Sequence, residues 1–476
     1  MTTLLVLVPL LFALGAYLMP SDRLRPWLLP IAGLVHLLLV LITLAQAAPL
    51  PTGAWLGLDP LGRLVLLLVS LLFAACGLYG VGYLTFRLQW GNRVFVTCLL
   101  LFLAAMSLAV EARHLGLLWV AVEATTLASA PLLYYNRNRL SIEATWKYLL
   151  LCSVGIALAM LGILFVAYSV LPTTPISLQL DDLIKGGPHL SRPWLRAGFV
   201  FLLVGFGTKA GFAPLHSWKP DAYGEAPGMI GALLAGGLTS IAFLALLRTM
   251  QIMAAAGEIA VAREAFVVMG GLSLFFAAVF VIKQPDFKRL LAYSSVEHMG
   301  ILAIGIGIGG VATFGAMLHL VNNALVKGVL FLTAGNIHRR FDSKRREEVA
   351  GAISVVPVSA SLFIAGFLAV TGSPPFGIFV SEFTILRGVF AAHHYALGGY
   401  FLLMLSIIFI GMGSTVLAVT LGQPSLRANR VNYHDTLLTT GPPLFMMLLV
   451  LLLGLYLPES VRTMVTEAAQ LVEVVR

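Results

Sequence analysis

Long apolar runs recur along this sequence and constrain its fold more than any other feature. They extend over about 17 to 25 residues, the length that an α-helix needs to cross roughly 30 Å of hydrocarbon. Of the 476 residues, 59% are apolar and 11% are charged, and the mean hydropathy is +0.95. Soluble globular domains carry a much larger share of charged residues. The sequence therefore predicts an all-α polytopic membrane protein.

The apolar runs predict about fourteen transmembrane helices in one membrane domain. The first run, Thr3–Met19, is followed by arginines and has none before it, so we expect it to remain as a span rather than act as a cleavable signal. The longest polar stretch, Leu171–Arg196, is interpreted as a loop between spans. The predicted spans are residues 3–19, 27–46, 62–84, 93–110, 114–132, 147–170, 197–213, 228–248, 265–282, 290–308, 311–335, 354–371 with 377–391, 396–419 and 438–457.

Apart from Lys209 and Lys327, the lysines and arginines are unevenly divided between the two sets of loops and the span ends that adjoin them. Loops that follow odd-numbered spans hold 18 of them, including Lys147 and Lys219, and the other set holds 10. The positive-inside rule places the richer set in the cytoplasm, so both termini are predicted outside a bacterial or archaeal inner membrane. The basic cluster Arg339–Arg346 is interpreted as topogenic charge, with binding of a peripheral partner as the alternative.

No cofactor is expected on this chain. Its cysteines, Cys76, Cys98 and Cys152, lie in apolar segments without CxxC spacing, which argues against an iron–sulfur cluster or a zinc site. The glycine-rich stretch 305–310 lies inside a predicted span, where close helix packing explains it better than dinucleotide binding. The net charge of +9 is placed at helix ends rather than on one soluble face, so nucleic acid is not an expected partner.

Two predicted spans, the seventh and the twelfth, are interrupted by prolines and glycines. The interruptions read GTKAGFAPLHSW in Gly207–Trp218 and TGSPPFGIFVSEF in Thr371–Phe383. Proline removes a backbone donor and clashes with the preceding turn, and broken helices in corresponding halves of a chain are typical of inverted-repeat transporters. A simple proline kink is the alternative interpretation.

Ionisable residues at membrane depth include Glu123 in the fifth span, Lys209 in the seventh, Lys327 in the eleventh and Glu382 in the twelfth. A charge at the bilayer centre is expensive, so such residues are functional by default, with a snorkelling or salt-bridged structural charge as the alternative. Burial favours a neutral lysine, and a nearby carboxylate favours a charged one. Lys209 would therefore gain or lose a proton as Glu123 moved toward it or away from it.

The eleventh span also carries a polar stripe. His319, Asn323 and Lys327 step by four residues and therefore share one helical face. A lone histidine there would be an ordinary core residue, but this spacing favours a proton relay. His216 and His298 are further histidines that could pass protons between these sites through internal water.

Several strings in this sequence resemble the antiporter-like, proton-translocating membrane subunits of respiratory complex I and of group 4 membrane-bound hydrogenases. The resemblance covers residues 94–416, and YSSVEHMG points to the component F type of hydrogenase-4. The strings are LLWVAVEATT (117–126), SIEATWKYLL (141–150), GTKAGFAPLHSWKPDAYGEAP (207–227), DFKRLLAYSSVEHMG (286–300), HLVNNALVKGVLFLTAG (319–335) and GSPPFGIFVSEF (372–383).

The resemblance implies a fold and a set of partners. We expect three N-terminal helices in residues 1–92, two inverted five-helix repeats in 93–250 and 265–420, and a last helix with a short tail in 421–476. The tail after Pro458 leaves no room for the long lateral helix of the largest such subunits. Iron–sulfur clusters and NiFe or other centres are expected only in partner subunits. Those partners are other integral membrane subunits and peripheral redox subunits, while the chain itself contacts lipid, internal water and protons.

The resemblance also implies roles for individual residues. Glu123 and Lys209 are expected to pair and load a proton, His319 and Lys327 to lie near the link between two half-channels, and Glu382 to face the exit. His216 is also a predicted relay residue, and Glu297, His298 and Lys147 are further candidates. One residue departs from the family pattern, because Ser240 in LLAGGLTSIAFLALLR (233–248) replaces the central lysine of many relatives.

Three functions remain open at this point. A proton-translocating subunit of a redox complex fits the pattern best. An Mrp-type cation/proton antiporter or an inorganic-carbon-uptake subunit shares the same charge pattern. A non-conducting scaffold for peripheral redox subunits is the third, and Ser240 favours it.

Overall fold

The computed structural model describes residues 2–46, 53–87, 90–170, 177–429 and 431–473 and is built almost entirely from α-helices. Outside the helices, these residues form isolated β-bridges and no strand, which confirms the predicted all-α class. Residues 171–176 of the predicted loop Leu171–Arg196 lie outside the described residues. The helices are α1 (Thr2–Leu18), α2 (Leu28–Gln46), α3 (Pro60–Thr85), α4 (Arg93–Glu111), α5 (Leu115–Leu133), α6 (Arg139–Val170), α7 (Leu180–Lys185), α8 (Arg192–Ala210), α9 (Trp218–Glu225), α10 (Gly228–Ala232), α11 (Thr239–Ala255), α12 (Ile259–Val281), α13 (Phe287–Ile308), α14 (Val311–Phe341), α15 (Ala352–Val355), α16 (Pro357–Val370), α17 (Gly377–Ala391), α18 (Tyr395–Thr420), α19 (Leu437–Leu455) and α20 (Glu459–Glu473).

The helix bounds support a polytopic membrane protein. Eleven helical segments of the described residues are long and apolar enough to cross a membrane. The other three predicted spans correspond to α1, to α8, and to α16 followed by α17. α10 and α11 are joined by the π-helical segment Leu233–Leu238 into one continuous helix. The grouping of these helices into inverted repeats stays a prediction.

Three helices form the interior of the bundle. The most apolar stretch of the α10–α11 helix is entirely buried, and the corresponding stretches of α13 and α14 are 94% buried. α2 and α6 instead expose much of their surface, as helices that face lipid or a neighbouring subunit do. Polar side chains on α13 and α14 must therefore find their partners inside the protein, because bulk water and lipid headgroups do not surround them.

Both predicted helix breaks are present, and each begins at a glycine with a left-handed backbone. α8 ends at Gly211 (φ +79°), where the N–H groups of Gly211 and Phe212 donate to the carbonyl of Gly207 at 2.7 and 2.9 Å. α16 is followed by Gly372 (φ +67°). Glycine adopts this conformation readily, since it has no Cβ. Each break leaves the last carbonyl groups of a helix inside the protein, where a side chain can bind them.

The start of α13 is fixed by a side-chain cap. The carboxylate of Asp286 accepts hydrogen bonds from the backbone N–H groups of Lys288 and Arg289 at 2.8 and 3.1 Å. Such a cap satisfies N–H groups that have no partner within the helix. It therefore defines the end of α13 from which Ser294, Glu297 and His298 follow.

The tail after Pro458 forms α20, a helix that was not predicted from the sequence. Its final turn is anchored by Glu473, which lies 2.7 Å from the guanidinium of Arg263 and accepts a hydrogen bond from the N–H of Gly310 at 3.0 Å. The helix packs against α3 and α14. Its buried apolar residues follow helical spacing: Val465, Ala468, Ala469 and Val472.

Small residues allow α6 and α8 to approach each other closely. Gly155 and Gly162 on α6 face Gly205 and Gly198 on α8, and a Cβ atom at position 205 would lie 2.6 Å from the Cβ atom and the backbone N of Ala159. Helix pairs in membranes associate through such small-residue contacts. This close contact positions α8, which carries Lys209.

We expect Gly205→Ala to destabilise the protein by about 1 to 3 kcal/mol, because overpacking of a tight contact has this effect. The measurement is the thermal midpoint and the monodisperse fraction of the detergent-solubilised protein. Gly399→Ala on α18 is the matched control, since no atom lies within 4 Å of a Cβ at this position. Equal loss in both variants would contradict the packing explanation.

Candidate functional site

Glu123 and Lys209 lie on neighbouring helices and are joined through a hydroxyl group rather than by an ion pair. The hydroxyl of Thr126 donates to Oε2 of Glu123 at 2.9 Å, and the Lys209 ammonium donates to the same hydroxyl. Ser153 donates to the other oxygen of Glu123 at 3.2 Å. Lys209 is fully buried, whereas Glu123 is half-buried. Thr126 was not among the predicted site residues, although it lies one helical turn after Glu123.

Tyr148 on α6 lines the other side of Lys209. Nζ of Lys209 lies 3.3 Å from the phenol oxygen and 5.0 Å from the ring centroid. The phenol oxygen lies 2.7 Å from the hydroxyl of Ser129, and the ring packs against Trp218 with centroids 5.0 Å apart. Hydroxyl groups and an aromatic face therefore surround this lysine. We call Glu123, Thr126, Tyr148 and Lys209 the Lys209 cluster.

A second cluster lies between α13 and α14. Nζ of Lys327 donates to the hydroxyl of Ser294 at 2.7 Å, and this hydroxyl donates to Oε2 of Glu297 at 3.1 Å. All three residues are buried. Ser294 therefore links an ammonium group to a carboxylate in the same way as Thr126. We call these residues the Lys327 cluster, and Glu297 had been predicted only as a further candidate.

Two histidines continue from the Lys327 cluster toward α17. Nε2 of His298 lies 3.9 Å from Oε2 of Glu297, and Nδ1 of His298 lies 2.9 Å from Nε2 of His319. Nδ1 of His319 lies 3.0 Å from the hydroxyl of Ser381. An imidazole can accept a proton on one nitrogen and release one from the other. Hydrogen-bonded rings of this kind are suited to passing protons.

Glu382 lies at the end of this series, and its side chain packs against the second helix break. Its carboxylate folds against Gly372, where any side chain would overlap it. Ligand atoms of His298, His319 and Glu382 lie within 4.8 Å of one another. Three of the four ring nitrogens contact the other histidine or Ser381, whereas Nε2 of His298 does not. Because both nitrogens of His319 are engaged, the arrangement favours a hydrogen-bonded relay over metal binding. We call His298, His319, Ser381 and Glu382 the histidine cluster.

Some buried polar atoms near these clusters have no protein partner among the described residues. They include Nε2 of His298, Oδ1 of Asn323 and Oε1 of Glu382. Buried polar groups are nearly always hydrogen-bonded, and internal water is the usual partner where side chains are missing. In the predicted polar stripe on α14, the side-chain oxygen of Asn323 therefore has no hydrogen-bond partner among the described residues.

Two predicted relay residues lie away from the clusters. His216 is buried among the rings of Phe276, Phe280 and Tyr293, and its Nδ1 has no partner among the described residues. Lys147 is half-exposed and forms ion pairs with Glu143 at 2.7 Å and Asp221 at 2.8 Å. The long lysine side chain reaches these surface carboxylates, which explains its position.

Lys147 borders a polar cavity of about 680 Å³ at one end of the bundle, together with Asp221, Arg289, Lys344 and Glu348. Asp221 also pairs with Arg289 at 2.8 Å. The hydroxyl of Ser343 donates to Glu348 at 2.5 Å and holds the pKa of this carboxyl below its ordinary value, with Arg427 acting in the same direction. The cavity gives water access to one end of α9.

Lys219 was counted as a loop charge from the sequence, and this interpretation was wrong. Its side chain is fully buried because the break after α8 turns the chain back into the protein before α9 begins. Nζ donates to the carbonyl of Ala210 at 2.5 Å and to the hydroxyl of Ser295 at 3.1 Å. The sequence signal was its position between two predicted spans, which does not distinguish a surface loop from a buried segment.

Ser240 provides no side-chain link between helices. It lies in the first turn of α11, directly after the π-helical segment, and is 1% exposed. Its hydroxyl donates to the carbonyl of Gly236 at 2.5 Å in its own helix. The departure from the family pattern therefore leaves α11 without a proton-carrying side chain at this position.

The chain is similar to known membrane subunits over most of its length. Residues 112–408 match the family model described as NADH:quinone oxidoreductase/Mrp antiporter, transmembrane. The chain is 32% identical over 428 residues to the Hydrogenase-4 component F homolog of Methylacidiphilum infernorum (isolate V4), covering 86% of this chain and 87% of that protein. It is 30% identical over 388 residues to NADH-quinone oxidoreductase subunit N of Desulforudis audaxviator (strain MP104C), covering 80% and 76%.

The fold is also similar to that of a solved membrane complex. A chain of the membrane-bound sulfane sulfur reductase, an archaeal respiratory membrane complex, superposes with a TM-score of 0.87 at 20% identity, covering 99% of this chain and 97% of that one. The sequence matches and the shared helical architecture agree with each other. This chain therefore belongs to the NADH:quinone oxidoreductase/Mrp antiporter transmembrane family.

Proposed function

We propose that this chain is the proton-translocating membrane subunit of a multi-subunit redox complex of the group 4 hydrogenase, formate hydrogenlyase or complex I-like type. The observation that carries the proposal is the series of buried ionisable and hydroxyl groups from the Lys209 cluster through the Lys327 cluster to the histidine cluster. Hydrogen bonds join neighbouring groups within each cluster, and the clusters extend from Glu123 on α5 to Glu382 on α17.

The surroundings of the two predicted lysines support proton transfer over a structural role. Lys209 and Lys327 are fully buried, and each ammonium bonds hydroxyl groups rather than pairing directly with a carboxylate. A structural buried charge is usually held by a direct partner, because removing an ion from water is expensive. A lysine that faces neutral hydroxyls can release its proton and remain hydrogen-bonded. A non-conducting scaffold would gain nothing from this arrangement.

Redox chemistry is assigned to partner subunits. Iron–sulfur clusters, NiFe or other centres would lie in peripheral redox subunits, and further integral membrane subunits would contact the half-buried face around Glu123 and Ser153. Internal water would complete the proton path between the clusters. The chain would lie in a bacterial or archaeal inner membrane with both termini outside, since the loops after odd-numbered spans are richer in lysine and arginine.

An Mrp-type cation/proton antiporter is the second candidate function, because the matched family includes both kinds of subunit. The same series of buried groups would then exchange protons for a metal cation carried by a partner. The similarity to a hydrogenase-4 component F homolog along 87% of its length supports the redox-coupled proposal. Sodium dependence of proton flux separates the two.

The first test removes the titratable groups of the Lys209 cluster. The complex is isolated through a tag on this chain, its subunits are identified by mass spectrometry, and it is reconstituted in liposomes that contain a pH-sensitive dye. Proton flux is driven by a potassium–valinomycin potential, with and without sodium. We expect Glu123→Gln and Lys209→Ala to lower flux by about tenfold or more, the scale on which loss of a proton-transfer group acts.

Controls for this test are two exposed residues without ion pairs among the described residues. Glu264→Gln and Lys283→Ala remove the same groups at the surface and should retain wild-type flux. Unchanged flux in Glu123→Gln and Lys209→Ala, at normal assembly, would rule out the proposed function. Co-purification of redox subunits supports the redox-coupled form, and strict sodium dependence supports the antiporter.

The second test breaks the hydroxyl link between Glu123 and Lys209. Thr126→Val keeps the shape of the side chain and removes its hydrogen bonds to both groups, so we expect a severalfold loss of proton flux at normal assembly. Thr125→Val is the matched control, since the Thr125 hydroxyl donates to the Val122 carbonyl in its own helix at 2.5 Å. Equal flux in the two variants would show that the link carries no protons.

The third test addresses orientation. With both termini outside, a C-terminal alkaline phosphatase fusion should be active and a C-terminal green fluorescent protein fusion should be dark. A fusion that truncates the chain at the exposed Leu426, in the loop after the thirteenth span, should give the reverse result. Fluorescence from the C-terminal fusion would invert the proposed topology.

A further inference from the structure

Lys219 is a fully buried lysine that the series of clusters does not use. It lies in the second position of α9, directly after the first helix break. Its side chain passes over Gly211, where any Cβ atom would overlap it, so the left-handed glycine that ends α8 also provides the space for this lysine. The break therefore positions Lys219, just as the second break positions Glu382 against Gly372.

The groups that face Lys219 include no carboxylate at ion-pair distance among the described residues. Its charged and titratable neighbours are Lys327 on α14, Cys152 on α6, His216 in the break and Tyr223 on its own helix, whose ring centroid lies 5.7 Å from Nζ. Like charges in a low-dielectric interior disfavour each other. Lys219 and Lys327 are therefore coupled, and protonation of one opposes protonation of the other.

Two consecutive serines place Lys219 and Lys327 against the same turn of α13. Nζ of Lys219 donates to Ser295 at 3.1 Å, and Nζ of Lys327 donates to Ser294 at 2.7 Å. These residues are adjacent on α13, so their side chains leave the helix in different directions and reach different lysines. Hydroxyl groups both donate and accept hydrogen bonds, so each serine can pass a proton to or from its own lysine. No hydrogen bond joins the two hydroxyls among the described residues, and internal water would have to connect them.

Lys219 also lies beside the Lys209 cluster. Its ammonium donates to the carbonyl of Ala210, the residue that directly follows Lys209. Cys152 interacts electrostatically with both lysines. Trp218, the residue before Lys219, packs on Tyr148 and donates to the carbonyl of Thr208 at 2.9 Å. Lys219 is therefore the ionisable group that borders both halves of the series.

We propose that Lys219 is the proton carrier that connects the Lys209 cluster to the Lys327 cluster, an inference that rests on the proposed proton-translocating function. An N–H bond of the Lys209 ammonium breaks, and its proton passes through internal water to the lone pair of the neutral Lys219 amine. An N–H bond of the resulting ammonium then breaks as the proton passes through Ser295, internal water and Ser294 to neutral Lys327. Lys219 thus supplies the central ammonium that α11, with Ser240, does not.

A purely structural role is the competing explanation. A cation at a helix C-terminus stabilises the free carbonyl groups, and Lys219 binds the carbonyl of Ala210 at the end of α8. Two substitutions separate the roles. Lys219→Gln keeps a hydrogen-bond donor but has no group that can gain or lose a proton. Lys219→Arg keeps both the donor and the positive charge, but the guanidinium stays protonated at all relevant pH values.

The experiment measures dye-reported proton flux in liposomes that contain the whole complex, normalised to assembled complex and recorded as a pH profile. We expect Lys219→Gln and Lys219→Arg to lower flux by about tenfold or more, whereas Lys283→Gln, at an exposed lysine, stays at the wild-type level. Ser295→Ala removes one oxygen and should also lower flux. Because this small change is easily accommodated, it tests the path even if the lysine variants fail to assemble.

Each outcome decides the proposal. Loss of flux in the assembled glutamine and arginine variants supports it, as does loss in Ser295→Ala. Wild-type flux and pH profile in either assembled lysine variant, or in Ser295→Ala when the lysine variants do not assemble, overturn it. Lys209→Ala in the same assay separates the two hypotheses: if only Lys209→Ala loses flux, the proposed function stands and the role of Lys219 fails, and if neither variant loses flux, both fail.

Discussion

The structure depends on the burial of lysine ammonium groups among neutral hydrogen-bond partners inside a membrane-spanning bundle. Lys209, Lys219 and Lys327 are each fully buried, and each donates to hydroxyl or carbonyl oxygens. Charge at this depth is expensive, so the surrounding helices must supply those oxygens at fixed positions. α5 and α6 supply them for Lys209, α8 and α13 supply them for Lys219, and α13 supplies one for Lys327.

The helix breaks give this bundle groups that regular helices cannot provide. A continuous helix uses its own carbonyl groups, whereas the break at Gly211 releases the carbonyl of Ala210 for Lys219. The same break directs α9 back into the protein, with Lys219 buried and Asp221 at the polar cavity. The second break places Glu382 against Gly372. Backbone irregularity at membrane depth is tolerated where it lies within protein, and here it places two ionisable side chains.

Much of the fold could be predicted from sequence because its physical signals are local. The length of each apolar run gives a span, and glycine with proline marks the breaks at 211–217 and 371–376. The helix α20 was missed because an amphipathic 15-residue segment gives no membrane-span signal. Single residues at membrane depth, such as Glu123 and Lys327, were identifiable by the mismatch between their charge and their apolar neighbours.

What the sequence by itself determined is the class of the protein, its spans, its two broken helices and the family to which it belongs, since each follows from periodicity or from local motifs. Only the tertiary structure decided which polar groups meet. It placed Thr126 between Glu123 and Lys209, removed His216 and Lys147 from the series, and buried Lys219. These contacts join residues distant in sequence, and their geometry depends on how the helices pack, which no local pattern encodes.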